Sequence, residues 1–205
     1  MGDISTYNGS AILAMTGKNC VAIISDKRFG VQYQTISMDF DKIYSVTPKL
    51  FYGLGGLVTD MQTFSSKLKF RTNLYEIKNG RTMEPAVLTK CISSMLYEKR
   101  FGPFFVQPVI AGLDKDNKPF IASMDSIGAC TFPDDFVVGG TAEENLFGMS
   151  ESLWRPDMEA DDLKHVCTQC FLAGINRDAL SGWGAVLYLI TPDGVIREDI
   201  EGRMD

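Results

Sequence analysis

The sequence contains no apolar run long enough to cross a bilayer. Its longest clean stretch, Trp183 to Ile190, falls well short of the roughly 20 residues that a spanning helix needs. The first residues, Met1 to Gly9, are polar and carry no hydrophobic core, so no secretory signal is read there. There is a single histidine, His165, which leaves no room for a triad of the Ser-His-Asp kind unless that one residue serves it. The five cysteines are odd in number and no export signal precedes them, so reduced thiols in the cytoplasm or nucleus are expected. No basic stripe exists: the densest basic stretch, Lys67 to Arg71, is interrupted by Leu68 and Phe70, and the net charge is -6. Nucleic acid and membrane are therefore not expected partners. Repeats, low-complexity tracts and proline- or serine-rich linkers are also missing.

What remains is ordinary globular material. Of the 205 residues, 45% are apolar and 22% charged. A domain of this size hides about 70% of the surface of its unfolded chain, so it needs no disulfide or metal to fold. One domain spanning residues 1–205 is expected, with residues 1–9 as a short extension.

Strand signals open the chain. Ala11 to Thr16 and Cys20 to Ser25 are apolar runs around Gly17-Lys18-Asn19, a hairpin buried on both faces. Lys42 to Val46 and Lys49 to Leu54 predict two more strands, broken at Thr47-Pro48. Helical spacing follows over Thr59 to Lys78, ended by Asn79-Gly80, and over Pro85 to Lys99, with Pro85 suited to a first turn. Val106 to Leu113 and Pro119 to Ser126 predict a further hairpin. Helices are predicted near Glu143 to Trp154 and Ala160 to Asn176, and strands over Ala185 to Thr191 and Val195 to Ile200. Strands apolar on both faces must be covered on both sides. An α+β fold of two stacked sheets, each with a helix pair outside, is the expectation.

Several short motifs are weighed and set aside. Met1-Gly2-Asp3-Ile4-Ser5-Thr6 fits the permissive myristoylation pattern, and Asn8-Gly9-Ser10 is a formal glycosylation sequon that an unexported chain never presents. Cys167-Thr168-Gln169-Cys170 lacks the second ligand pair of a zinc site, and both thiols fall on the apolar stripe of their helix. His165 lies off that stripe and reads as solvated. Gly53-Leu54-Gly55-Gly56 lacks the Gly-Lys-Ser/Thr ending of a phosphate loop. It reads as a tight strand-to-helix turn or as a source of backbone N–H groups for an oxyanion. A nucleophile in this chain would need an unusual base, such as an N-terminal amine.

In order along the chain stand Asn8-Gly9-Ser10-Ala11, Ser25-Asp26-Lys27-Arg28, Asp41-Lys42-Ile43, Gly53 to Asp60, and Arg177-Asp178-Ala179-Leu180-Ser181-Gly182-Trp183-Gly184. Each is weak alone, but the ordered combination resembles the proteasome beta subunits, a family of N-terminal-nucleophile hydrolases. Leu96 to Pro103 and Phe147 to Trp154 resemble its type-3 branch. The resemblance covers nearly the whole chain. It implies a four-layer αββα sandwich, no cofactor, no metal, and assembly with other beta and alpha subunits in stacked rings. The implied function is structural: completing the beta ring of the 20S core particle, in ubiquitin- and ATP-dependent protein degradation.

Active members of that family use a threonine freed by cleavage after a glycine, with its own amine as base. The resemblance places Ser10 at the nucleophile, Gly9 at the cleavage position, and Asp26 and Lys42 at the charged pair. It places Gly56 at the oxyanion amide and Asp178 and Ser181 at the later polar pair. Gly140, in Val138-Gly139-Gly140-Thr141, falls within one residue of a serine that assists the amine, and Phe29 replaces a small residue of the main specificity pocket. If residues 1–9 are retained, the nitrogen of Ser10 is an amide and no base remains. These positions are then vestigial, and no catalytic residue is expected. The alternative is an active serine-type peptidase produced by cleavage between Gly9 and Ser10. A third reading is a ring built from this chain alone. The resemblance also places Asp125 and Cys130, in Met124 to Cys130, on the wall of a neighbouring subunit's trypsin-like groove. The competing role for Asp125 is to cap the turn before Gly128.

Overall fold

The computed structural model describes residues 4–204. Gly2, the acceptor glycine of the myristoylation motif, lies outside them. After a 3-10 turn at Ile4–Thr6 the chain enters β1 (Ala11–Gly17) and β2 (Cys20–Asp26). Gly17 pairs with Cys20, and Asn19 takes the left-handed conformation (φ 56°) that so tight a turn demands. Both strands are buried almost throughout, as their unbroken apolar runs require.

A small hairpin follows, β3 (Phe29–Val31) and β4 (Gln34–Ser37). Then come β5 (Ile43–Thr47), β6 (Leu50–Gly56), α1 (Val58–Asn79) and α2 (Pro85–Tyr97). Gly80 ends α1 in the left-handed conformation, its N–H bonded to the Glu76 carbonyl at 2.8 Å. β7 (Val106–Leu113), β8 (Pro119–Met124), β9 (Cys130–Thr131) and β10 (Phe136–Gly140) lead to α3 (Glu143–Leu153) and α4 (Ala160–Ile175). β11 (Ala185–Thr191) and β12 (Gly194–Ile200) close the fold.

One antiparallel sheet has the order β10-β1-β2-β11-β12 and the other β5-β6-β7-β8-β9. Period-two alternation sorts the side chains of β1 between two cores. Leu13 and Met15 join Ile24 and Leu187 beneath Leu146, Leu163 and Phe171 of α3 and α4. Ile12 and Ala14 join Ile23 and Val186 against Phe51, Val109 and Ile121 of the second sheet. On that sheet's other face, Leu54, Ile110 and Ala122 pack with Phe64, Leu68, Leu88 and Ile92 of α1 and α2. The mixed α/β content and the paired hairpins match the sequence reading.

Three local expectations are corrected. Gly53 to Gly56 is not a turn but the end of β6. It has glycines because partners press on it: a Cβ at Gly53 would lie 3.0 Å from Ile12 Cγ2, and one at Gly55 only 2.7 Å from Ser10 Oγ. The β3–β4 hairpin and β10 are strands that the apolar pattern did not reveal. The second strand of the Val106–Met124 hairpin also ends at Met124, before Ser126.

Candidate functional site

The site is assembled from strand ends. Ser10 immediately precedes β1, Gly56 ends β6, Asp26 ends β2 and Gly140 ends β10. Ser10 is 1% exposed. Its Oγ accepts the N–H of Gly56 at 3.2 Å. Its own N–H, an amide here, donates to Thr141 Oγ1 at 3.4 Å, and its carbonyl accepts the Thr141 N–H at 2.7 Å. Thr141 Oγ1 lies 2.7 Å from Asp178 Oδ2 and 3.1 Å from the Ser10 carbonyl. The single hydroxyl hydrogen goes to the shorter, charge-assisted contact. Ser181 Oγ donates to the same Asp178 oxygen at 2.6 Å, and the Leu180 N–H reaches Oδ1 at 3.1 Å.

A second cluster lies alongside. Asp26 and Lys42 are each completely buried and paired at 2.5 Å. Asp26 also accepts the N–H groups of Ala11 (2.9 Å) and Gly182 (3.2 Å), so both carboxylate oxygens are used. Burial pulls the Lys42 pKa below the ordinary lysine value, and the Asp26 charge opposes that shift. The pair joins the end of β2 in one sheet to the residue just before β5 in the other.

Ser10, Asp26, Lys42, Gly56, Asp178 and Ser181 thus converge on one locus. Gly140 is there too, but it cannot host the expected hydroxyl. Its φ is +96°, and a Cβ would lie 2.2 Å from the Ser10 carbonyl oxygen. The hydroxyl beside the Ser10 nitrogen is that of Thr141, one residue further on. Gly9 (φ +73°) is equally confined, since a Cβ would sit 2.0 Å from the Leu180 carbonyl oxygen. Phe29 is half-buried against Phe40, ring centroids 5.3 Å apart.

Asp125 and Cys130 lie away from this locus, at the β8–β9 connection, with β7 and β8 between β9 and β6. Asp125 is exposed. Its Oδ1 accepts the N–H groups of Ile127 (3.0 Å) and Ala129 (2.8 Å), so the turn-capping role is real. The residue also lines a cavity of about 320 Å³ shared with Gln107, Thr131, Gly139 and Glu143. Cys130 is half-buried, with its Sγ 3.4 Å from the Gly128 carbonyl oxygen. His165 is exposed, whereas Cys167 and Cys170 are buried in the core, where burial pushes the Cys170 thiol up to about 11. No helix among the described residues is long and apolar enough to cross a membrane.

Three residues of the locus carried no assigned role in the sequence: Thr141, Asn8 and Arg28. Thr141 was within reach of a one-residue change in register. Asn8 was visible only as a sequon and Arg28 only as part of a motif, because their roles arise from tertiary contacts described below.

A buried hydroxyl at the head of a strand, an amide aimed at it and an adjoining buried Asp–Lys pair stand at positions that the ordered motifs marked. The family model described as "Proteasome subunit" matches residues 6–190, and the chain belongs to that family. Within it, the chain is 52% identical over 202 residues to "Proteasome subunit beta type-3" of Picea mariana, covering 98% of this chain and 99% of that one. It is 53% identical over 202 residues to "Proteasome subunit beta type-3-B" of Arabidopsis thaliana, with the same coverage. The Drosophila melanogaster "Proteasome subunit beta type-3" is 51% identical over 203 residues, again covering 98% and 99%.

Proposed function

We propose that this chain is a non-catalytic structural beta subunit of the 20S proteasome core particle. It completes a ring with other beta subunits, beneath a ring of alpha subunits, in ubiquitin- and ATP-dependent protein degradation in the cytoplasm and nucleus. Likeness to beta type-3 subunits over nearly the whole chain supports the place in the particle. The two sheets meeting at one core, each with its own helix-covered core, support reading residues 1–205 as a single four-layer αββα sandwich of the N-terminal-nucleophile hydrolase type.

The observation that supports the non-catalytic part is the burial of Asn8 and Gly9, with Asn8 bonded to Val58, Gly30 and Arg28. With those residues kept, the nitrogen of Ser10 is an amide donating to Thr141. An amide nitrogen is no useful base, so Asp26, Lys42, Gly56, Asp178 and Ser181 are retained for structure. In purified particles, an inhibitor that captures N-terminal threonine or serine nucleophiles is expected to label other subunits and leave Ser10 unmodified. Intact mass shows this directly. A covalent adduct on Ser10 would instead support the rival, an active serine-type peptidase made by cleavage after Gly9.

Asp125 and Cys130 are proposed to face the substrate groove of an adjacent subunit that prefers basic side chains. Asp125 and Glu143 both line the same cavity, and carboxylates lining one cavity attract lysine or arginine. Asp125→Asn keeps an oxygen for the turn and removes the charge. We expect cleavage of basic peptides to fall selectively, by about two- to fivefold at low salt, with the loss shrinking as salt screens the charge. Equal rates on basic and neutral peptides would leave Asp125 a turn residue only.

A further inference from the structure

The geometry points to Tyr7–Gly9 as a structural clasp, in which Asn8 caps α1 from a distance and Arg28 holds the segment in place. Retention of these residues is then a requirement of the fold, beyond any block on Ser10, and the proposal stands whether or not the assembly reading does.

The start of α1 lacks a local cap. Its first N–H groups have no intrahelical partner, and the residue at the capping position, Leu57, has no side chain that can accept a bond. The N–H of Val58 is satisfied by Asn8 Oδ1 at 2.9 Å, across 50 residues of sequence. The other end of the same amide, Nδ2, donates to the Gly30 carbonyl at 2.9 Å. Asn8 is 5% exposed, so one buried side chain ties the β3–β4 hairpin to the helix with both ends used. The hairpin is tied a second time, since the N–H of Gln32, itself at φ 53°, donates to the Tyr7 carbonyl at 2.7 Å.

Arg28 completes the clasp. It is 2% exposed, and each hydrogen bond of its guanidinium goes to a neutral oxygen. The acceptors are the carbonyls of Asn8 (3.3 Å), Leu180 (2.9 Å) and Gln32 (2.8 Å), and Thr35 Oγ1 (3.0 Å). The rigid planar fork spans acceptors on three separate segments, which a lysine's point charge does not match. Gly30 leaves room for it, since a Cβ there would lie 2.6 Å from the guanidinium carbon. Cleavage after Gly9 would release Asn8 and so strip α1 of its cap, the hairpin of two bonds and Arg28 of one acceptor. A chain that relies on these contacts is built to keep its first residues.

The test is hydrogen exchange read by mass spectrometry on the full-length chain as isolated, with β1 and β2 as internal reference. Asn8→Ala is expected to raise exchange about five- to tenfold in peptides covering the start of α1 and the β3–β4 hairpin, while the reference strands are unchanged. Asn8→Asp keeps an acceptor for Val58 and loses the donor to Gly30. It is expected to restore protection at α1 and not at the hairpin. Should Asn8→Ala not accumulate, Asn8→Asp against wild type carries the same test. Wild-type exchange at both places in Asn8→Ala, or an Asn8→Asp chain that loses α1 while keeping the hairpin, overturns the proposal.

Discussion

Replacing Lys42 by methionine is expected to destabilise the chain by about 3–5 kcal/mol, because it leaves the fully buried Asp26 carboxyl without its ionic partner. Methionine fills much of the lysine stem, so the loss is electrostatic more than volumetric. For a chain of this size the shift in Tm is roughly 6–20 °C. Asp26 would keep the N–H groups of Ala11 and Gly182, which soften the penalty without replacing an ammonium at 2.5 Å. The pair bridges the two sheets, so its loss should be felt at the seam beside Ser10 before it is felt at the outer helices. The control is the double variant Lys42→Met with Asp26→Asn. It removes both charges, and its cost should fall short of the sum of the single variants by about 1–3 kcal/mol. Pulse proteolysis of the full-length chain, as isolated, reads all three. A Lys42→Met chain within about 1 kcal/mol of wild type would mean that water or another group reaches Asp26.

The elements that the sequence revealed are those whose burial has a simple period. β1, β2 and β11 are apolar on both faces, and α2 and α4 repeat their apolar residues at helical spacing, so local pattern and tertiary fate agree. The β3–β4 hairpin escaped because Gln34 and Ile36 are exposed and Thr35 and Ser37 only half-buried, which leaves no apolar face to recognise. β10 escaped because it is five residues long and ends in two glycines, which read as a loop. The site follows the same division. Ser10, Asp26, Lys42, Gly56, Asp178 and Ser181 were placed by motif order, and the structure gathers all six. Arg28 and Asn8 were not, because a buried arginine bonded to carbonyls and a cap supplied from a distant segment leave no trace in spacing. Asp125 was placed at a turn, where it does cap, and the second role proposed for it rests on a surface outside this chain.

The register of the hydroxyl beside Ser10 is where sequence and structure part, and it carries the second large effect. Gly140→Ser would supply the side chain that the family pattern suggested, and it is expected to destabilise the chain by about 2–6 kcal/mol. Part of this is backbone strain: φ is +96° at Gly140, a conformation that serine adopts only at a cost. The rest is collision. The new Cβ would lie 2.2 Å from the Ser10 carbonyl oxygen and 2.7 Å from its carbonyl carbon, and since these are backbone atoms no change of rotamer relieves them. Nor can the strand end slide away freely. Gly140 pairs with Ala11 in the sheet, and its N–H is held by Gln107 Oε1 at 2.8 Å. Thr141 gives the contrast. Thr141→Ser keeps the hydroxyl on Asp178 and should cost less than about 1 kcal/mol. Thr141→Val keeps the shape, removes one hydrogen bond to Asp178 and the acceptor for the Ser10 N–H, and should cost about 1–3 kcal/mol. Denaturation of the three variants therefore ranks them Gly140→Ser worst, Thr141→Val next and Thr141→Ser nearest wild type. A stable Gly140→Ser chain together with a neutral Thr141→Val chain would return the hydroxyl to position 140.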